Sequence, residues 1–543
     1  MSIKTIPTSP FSDQKCGTAG LRRKVKVFRQ PHYLENFIQS VFDCVPVLQG
    51  GTLVIGGDGR FFNREAIQTV LQIATANGVA RTIVGCGGLL STPAGSHLIR
   101  ESNAQGGFLL TASHNPAGPD GDFGIKFNVA GGGQASESLT DAFHQRSMAI
   151  EHYKIVDAQA VDIDHIGSTQ LDGMQIDIVD SIADYAALQE KLFDFDQIAA
   201  LLARDDFRFY YDALHAVTGP YAKEIFVKRL GLPTMDCANA EVLADFGGRH
   251  PDPNPHDASD LVSLFNTSQS PDMGAASDGD GDRNMILGPG QMVSPCDSLA
   301  ILTAHATRVP GYWQGLAGVA RSMPTSRAVD AVAAKLNLPC YETPTGWRFF
   351  CNLLEDNRIT LCGEESFGTS SNHCREKDGL WAILFWLNVI ADSGLGVNEL
   401  LRRHWAEYGR HYYQRQDYAI ADIDKAQALM QTLESSLPSS GTQLGDITVS
   451  HADNFSYTDP VDGSVSKNQG LRITFGDAAR IVYRLSGTGT QGATLRVYLE
   501  QFESAGGGHA LELNSALAKL IALSKQLAQI EHFTELTDPS QTT

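Results

Sequence analysis

Paired cysteines, long apolar runs and surplus basic charge are all missing from this sequence of 543 residues. The nine cysteines, at 16, 44, 86, 237, 296, 340, 351, 362 and 374, stand singly, with no C-x-x-C pair. An odd, scattered set fits neither a zinc site nor a disulfide framework. Reduced thiols of a cytoplasmic protein are expected, several of them in apolar runs where cysteine acts as a small hydrophobe. No stretch of about 18 apolar residues occurs, and M-S-I-K-T-I-P-T-S-P lacks the apolar core of a signal peptide, so no membrane partner is expected. Acidic residues outnumber basic ones by 62 to 42, for a formal net charge of −20. That field argues against nucleic acid and anionic membranes as partners. A phosphorylated substrate would need its own local cluster of arginine and lysine.

Three common active-site signatures are absent as well. The hydrolase elbow G-x-S-x-G fails around Ser113, where Thr111 and Asn115 replace the glycines. No P-loop occurs, and the dinucleotide fingerprint fails because Phe62 follows Gly57-Asp-Gly59 where a third glycine is needed.

What remains is ordinary globular composition, 42% hydrophobic and 19% charged, over a length that suggests three or four domains. Thr52–Ile55 reads as a strand closed by Gly56 and Gly57. Ile67, Val70, Leu71 and Ala74 then form a helical stripe, Gly78 ends it, and Thr82–Val84 is the next strand. This β-α-β grammar implies parallel strands. It recurs with strand Leu316–Ala320, helix positions Val329, Val332, Ala333 and Leu336, and strand Thr360–Cys362. Residues 410–543 instead show alternating strands, Ala479–Leu485 and Thr494–Glu500, and a helix from Glu512 to Gln529. That region reads as an α+β domain, with the polar tail Thr537–Thr543 expected to be disordered. Boundaries near 180, 302 and 408 give segments 1–180, 181–302, 303–408 and 409–543.

Four constellations carry candidate chemistry. Thr111-Ala-Ser-His-Asn-Pro116 follows the apolar run Gly107–Leu110, so Ser113 would sit beyond the carboxyl end of a strand, where open sheets meet ligands. Alone, it reads more readily as a turn than as a nucleophile. Ser277-Asp-Gly-Asp-Gly-Asp-Arg283 alternates Asp278, Asp280 and Asp282 with glycines that let the backbone curl three carboxylates around one point. Such anions repel unless a cation neutralises them, and oxygen-only ligands suit Mg²⁺ or Ca²⁺. The EF-hand pattern fails, because Arg283 and Pro289 hold its glycine and glutamate positions. Cys362-Gly-Glu-Glu-Ser-Phe-Gly368 offers Glu364 and Ser366 to vicinal hydroxyls; its bland alternative is a helix start with acidic residues at the dipole. In Arg484-Leu-Ser-Gly-Thr-Gly-Thr490, period-2 alternation puts Arg484 and Ser486 on one face. Arg496 on the next strand lies opposite Leu495 and Val497, so two guanidiniums can converge on a glycine-rich loop, as a phosphate dianion requires.

A nucleophilic serine, a hard-metal loop, a hydroxyl-reading loop and a phosphate loop together describe a site for a phosphorylated sugar. The chain resembles the α-D-phosphohexomutase superfamily and, within it, the phosphoglucomutase family shared by eukaryotes and many bacteria. The resemblance rests on G-T-A-G-L-R (17–22), T-A-S-H-N-P, G-D-F-G-I-K-F-N (121–128), D-G-D-G-D-R and A-R-S-M-P-T-S (320–326). It continues through P-T-G-W-R-F-F (344–350), G-E-E-S-F-G, R-E-K-D-G-L-W (375–381) and R-L-S-G-T-G-T, in the family's order.

It implies four domains around a central cleft, three similar α/β domains and a C-terminal α+β phosphate-binding domain that closes over the cleft. Ser113 becomes the phosphorylated serine and a metal ligand, with Asp278, Asp280 and Asp282 holding one Mg²⁺. Glu364 and Ser366 match sugar-hydroxyl readers, helped by Thr345 and Gly346. Arg484, Ser486, Thr488 and Arg496 match the loop holding the non-reacting phosphate. Arg22, His114, Lys126, Arg283 and Lys377 match positions that offset charge or move protons, with acid and base left open among His114, Lys126 and Lys377.

The implied reaction exchanges glucose 1-phosphate and glucose 6-phosphate through glucose 1,6-bisphosphate in a cytoplasmic, monomeric enzyme. Small departures, with Cys16 and Ala19 flanking Thr18 and with Asn372 and Cys374 before Arg375, leave that reaction class intact. A mutase preferring mannose phosphate, a silent paralogue and a sugar phosphatase are the competing readings.

Overall fold

Apolar spacing along 52–84 produces the β-α-β unit the sequence expects. The computed structural model describes residues 2–17, 20–486 and 492–543. Strand Thr52–Gly57, helix Asn63–Ala76 and strand Arg81–Leu89 follow in order. Ile67, Val70, Leu71 and Ala74 are buried in one cluster with Leu53 and Ile55. The two strands pair in parallel, as the connecting helix requires.

The chain divides into two units. The first comprises residues 1–292, 305–315 and 366–397. It holds a seven-stranded mixed sheet whose centre is parallel, with Thr52–Gly57 between Gly106–Leu110 and Arg81–Leu89. A five-stranded sheet also lies in this unit, with Phe209–Asp212 parallel to both Cys237–Ala238 and Met273–Ala276. Ser113 follows one parallel strand and Asp278 follows another.

The second unit comprises residues 293–304, 316–365 and 398–543. Its strands Cys340–Thr343, Val319–Ser322 and Leu361–Gly363 are parallel. The strand expected at Leu316–Ala320 thus begins at Val319, and the one expected at Thr360–Cys362 runs from Leu361. Thr360 serves as a fastening residue instead: its hydroxyl accepts the Ala317 N–H at 2.8 Å.

A six-stranded sheet runs in the order His451–Asn454, Leu471–Phe475, Ala479–Ser486, Ala493–Glu503, Arg410–Ile420 and Gln541–Thr542. Ile481, Tyr483, Leu495, Val497 and Leu499 form its core with Leu517 and Leu520 of helix Leu513–Leu527. Arg484 and Arg496 therefore occupy the opposite face, as the alternation predicts. Buried Arg480 and Glu500 pair at 2.8 Å, and Glu342 meets Arg321 at 2.8 Å and Arg472 at 2.6 Å.

The expectation of a disordered tail fails. Gln541 and Thr542 pair with Asp417 and Gln416. Composition suggested disorder, but an edge strand binds through its backbone, which polar side chains do not prevent.

Close packing at the carboxyl end of the first sheet depends on absent side chains. A Cβ on Gly124 would stand 2.1 Å from the Thr111 carbonyl oxygen, which belongs to backbone and has little room to retreat. Gly124→Ala is expected to cost about 1–3 kcal/mol or more in urea unfolding. Gly396→Ala, which meets nothing within 4 Å, should stay within about 0.5 kcal/mol of wild type.

Candidate active site

Ser113 sits in a strained turn that is held by hydrogen bonds and a buried ion pair. Its φ of 52° is left-handed, a conformation uncommon for a residue with a side chain. The Ser113 N–H donates to Thr111 Oγ1 at 2.7 Å, and that hydroxyl donates to Asp58 Oδ2 at 2.6 Å. Arg60 pairs with Asp58 at 2.8 Å, both fully buried, and its Nη2 donates to the Ser113 carbonyl oxygen at 2.7 Å. Both backbone polar groups of Ser113 are thus fixed by one network. Asp58 and Arg60 escaped the sequence reading; Gly57-Asp-Gly59 drew notice only as a failed dinucleotide motif.

The aspartate loop meets this turn directly. Ser113 Oγ donates to Asp278 Oδ2 at 2.7 Å, and a Cβ on Gly279 would stand 2.3 Å from the Ser113 carbonyl oxygen. Glycine is required there by close backbone approach. Asp278, Asp280 and Asp282 converge as expected, each offering an oxygen within 4.8 Å of the others, and all are buried. Asp278 Oδ1 accepts the N–H groups of Asp282 and Arg283 at 2.9 and 3.0 Å, and Asp280 Oδ2 accepts the Thr92 hydroxyl at 2.7 Å. Asp280 Oδ1 and Asp282 Oδ1 are buried with no hydrogen-bond partner among the described residues. Orphaned carboxylate oxygens are costly to bury. The donor set therefore fits a hard divalent cation.

Basic side chains surround the triad. Lys377 Nζ is 3.1 Å from Asp282 Oδ2, and Lys126 Nζ lies 3.9 Å from Asp280 and 3.3 Å from Glu376. Glu376, fully buried, also accepts Asn128 and Gln134 amides at 2.9 Å each. It was not singled out from sequence, because its partners lie about 240 to 250 residues away. Arg283 pairs with Asp252 at 3.1 Å, another residue sequence reasoning missed. Arg22, on the edge strand beside Gly124, lies in the field of Asp280 and Asp282. His114 Nδ1 is 3.3 Å from Ser113 Oγ.

These charges act on one another. Burial, then Asp282 and Asp280, push the Asp278 carboxyl well above its usual range. Burial acts upward on Asp280 too, but Lys126, Thr92, Lys377 and Arg22 hold it below the usual carboxylate range. Burial, then Arg283, Arg22 and Lys377, hold the His114 imidazole well below its ordinary value, so it is neutral near pH 7.

The remaining candidates lie in smaller groups. Glu364, buried, accepts the Gly346 N–H at 3.1 Å, which fixes Thr345 and Gly346 beside it. The Thr345 hydroxyl is buried without a partner among the described residues. No helix starts at Glu364: a turn at residues 365–366 follows it, and Ser366 is half-buried there. Arg484 and Arg496 are direct register partners, and Ser486 pairs with Thr494. Like charges placed opposite each other destabilise a sheet unless an anion offsets them. Thr488 lies outside the described residues, as do Thr18 and Ala19.

The fold class and this site together define a phosphohexomutase. Family models for phosphoglucomutase/phosphomannomutase alpha/beta/alpha domains I, II and III match residues 13–154, 184–290 and 295–408. The model for the phosphoglucomutase-1 C-terminal domain matches residues 410–540. The chain is 54% identical over 539 residues to a phosphoglucomutase of Rhizobium radiobacter, covering 99% of each. It is 47% identical to a cytoplasmic phosphoglucomutase of Populus tremula, again covering 99% of each. Among solved structures, the Paramecium phosphoprotein pp63/parafusin, a phosphoglucomutase in its open form, superposes with a TM-score of 0.93 at 45% identity, covering 100% of this chain and 99% of that one. The chain belongs to the phosphoglucomutase family.

Thr111→Val tests the clamp on Ser113. It leaves the Ser113 N–H unpaired and Asp58 Oδ2 with Arg60 alone, a loss of about 1–3 kcal/mol. Turnover is expected to fall about tenfold or more with KM nearly unchanged, in steady-state assays on enzyme that remains folded.

Proposed function

We propose that Ser113 stores a phosphoryl group and exchanges it with glucose phosphates, so that the enzyme interconverts glucose 1-phosphate and glucose 6-phosphate. The observation that carries this reading is the 2.7 Å contact between Ser113 Oγ and Asp278, at a triad with two unsatisfied carboxylate oxygens. Asp278, Asp280, Asp282 and a Ser113 phosphate oxygen would hold one Mg²⁺. When bound, the ion offsets charge on the transferring group in a loose transition state.

The chain's own groups supply the rest. A sugar hydroxyl attacks the phosphorus of phospho-Ser113, the bond from phosphorus to the serine oxygen breaks, and glucose 1,6-bisphosphate forms. The hydroxyl proton must leave during attack and the serine oxygen gains a proton when protonated as leaving group. His114, neutral and beside Ser113, can accept one; Lys126 and Lys377 stand ready as cationic donors, and Arg22 and Arg283 offset charge. The bisphosphate then turns end over end and its other phosphate returns to Ser113.

Glu364 and Ser366 read sugar hydroxyls, with Thr345 and Gly346 fixing the orientation that suits glucose. Arg484, Ser486, Thr488 and Arg496 hold the phosphate that does not react; two guanidiniums in one register row support this. Glucose 1,6-bisphosphate then serves as both intermediate and activator. We read the enzyme as a monomer, and cytoplasmic relatives such as that of Populus tremula support a cytoplasmic location. Divisions near 180, 302 and 408 complete the reading, with the serine, metal, sugar and phosphate loops one to a segment.

A coupled assay on glucose 1-phosphate and mannose 1-phosphate, with Mg²⁺ and a trace of glucose 1,6-bisphosphate, tests the substrate. Glucose 1-phosphate is expected to turn over much faster; equal or better use of mannose 1-phosphate would overturn the sugar assignment. Chelation should abolish turnover and Mg²⁺ restore it. Asp280→Asn is expected to lower turnover by about 100-fold or more, the scale of a lost electrostatic stabiliser.

A further inference from the structure

Asp417 occupies a place that repels phosphate, yet it faces the arginines read as phosphate holders. The register runs Asp417, Arg496, Arg484 straight across three neighbouring strands. Side chains opposite one another on such strands are close enough to interact strongly. Asp417 Oδ2 lies 3.6 Å from Arg496 Nε, and Oδ1 lies 3.0 Å from Arg415 Nε. Arg415 sits two residues away on the same face of the strand. Asp417 is only 8% exposed, so its ion pairs are not freely solvated surface contacts.

The other members of the row are braced separately. Arg415 Nη2 donates to Thr543 Oγ1 at 3.4 Å, and the backbones of Arg415 and Thr543 exchange bonds at 2.8 and 2.9 Å. Arg484 Nε donates to the Gln469 carbonyl at 3.1 Å. Its stem fills space left clear by Gly470, where a Cβ would stand 2.7 Å from Arg484 Cγ. Arg415 is thus held by Asp417 and Thr543, whereas Asp417 meets Arg496 at Nε, at ion-pair rather than hydrogen-bond distance.

We propose that Asp417 is a positioning residue of the phosphate site, braced by Arg415 and the edge strand that ends beside it. It offsets the repulsion between Arg484 and Arg496 before substrate arrives, and it aims Arg496 at the non-reacting phosphate of the sugar. The proposal rests on the reading of Arg484 and Arg496 as the holders of that phosphate. It also gives the ordered segment around Thr543 a role in substrate affinity.

Steady-state kinetics on glucose 1-phosphate, with inorganic phosphate as competitor, test it on the full chain. Asp417→Asn should raise KM about tenfold, with kcat within about twofold, and weaken phosphate inhibition in parallel. Asp417→Glu should recover most of the affinity, and Arg415→Gln should raise KM by a smaller factor. In an Arg496→Gln background, Asp417→Asn should add almost nothing. Unchanged KM in Asp417→Asn, loss of kcat alone, or full additivity with Arg496→Gln would overturn the proposal while leaving the phosphate reading intact. If Arg496→Gln itself leaves KM and phosphate inhibition unchanged, the phosphate reading falls and this proposal falls with it.

Discussion

Three carboxylates buried within ligand distance of one another repel, and the reactive region is organised around that repulsion. Each is partly compensated by a different device. Asp278 takes two backbone N–H groups and the Ser113 hydroxyl, Asp280 takes a threonine hydroxyl with Lys126 nearby, and Asp282 faces Lys377. Two oxygens still lack partners. Burial makes this imbalance strong, since charges removed from water interact over a lower dielectric. A hard divalent cation is what would offset such an arrangement, and the Ser113 hydroxyl is already hydrogen-bonded to it.

The scaffold explains where the candidate residues stand. Ser113, Asp278 and Glu364 each follow a parallel strand, at the carboxyl end where α/β sheets present their loops. Glycine completes the approach in two places, because Gly124 and Gly279 lie against backbone oxygens of Thr111 and Ser113. The C-terminal sheet works on another principle. It has antiparallel strands, and cross-strand register rather than a strand end puts Arg484 beside Arg496. The candidate residues thus stand on loops in the α/β parts and in a row of side chains in the last sheet.

Local pattern made the metal loop legible, because alternating aspartate and glycine has few purposes other than gathering oxygens. The helix at 63–76 and the two faces of Ala479–Ser486 were legible through their periods. Ser113 was not legible alone: Ser-His-Asn-Pro is a good turn, and the structure shows that it is one. Only the distant loops made it a candidate. The Asp58–Arg60 clamp, Glu376 and Asp252 were not legible, because each acts through a partner whose proximity the chain reveals only when folded. Asp417 and Arg415 were hidden in a strand that looks like ordinary amphipathic sheet. The tail misled for a related reason, since polar composition says nothing about backbone pairing to an open edge.

The central claim is that one serine, seated against the aspartate triad, carries the phosphoryl group between substrates. Intact-protein mass spectrometry with peptide mapping, after incubation with glucose 1,6-bisphosphate and Mg²⁺, tests it most directly. The account predicts a single added phosphoryl group on Ser113, discharged by glucose 6-phosphate and absent from Ser113→Ala. A phosphoryl group mapped to another residue, or one that persists in Ser113→Ala, would contradict it.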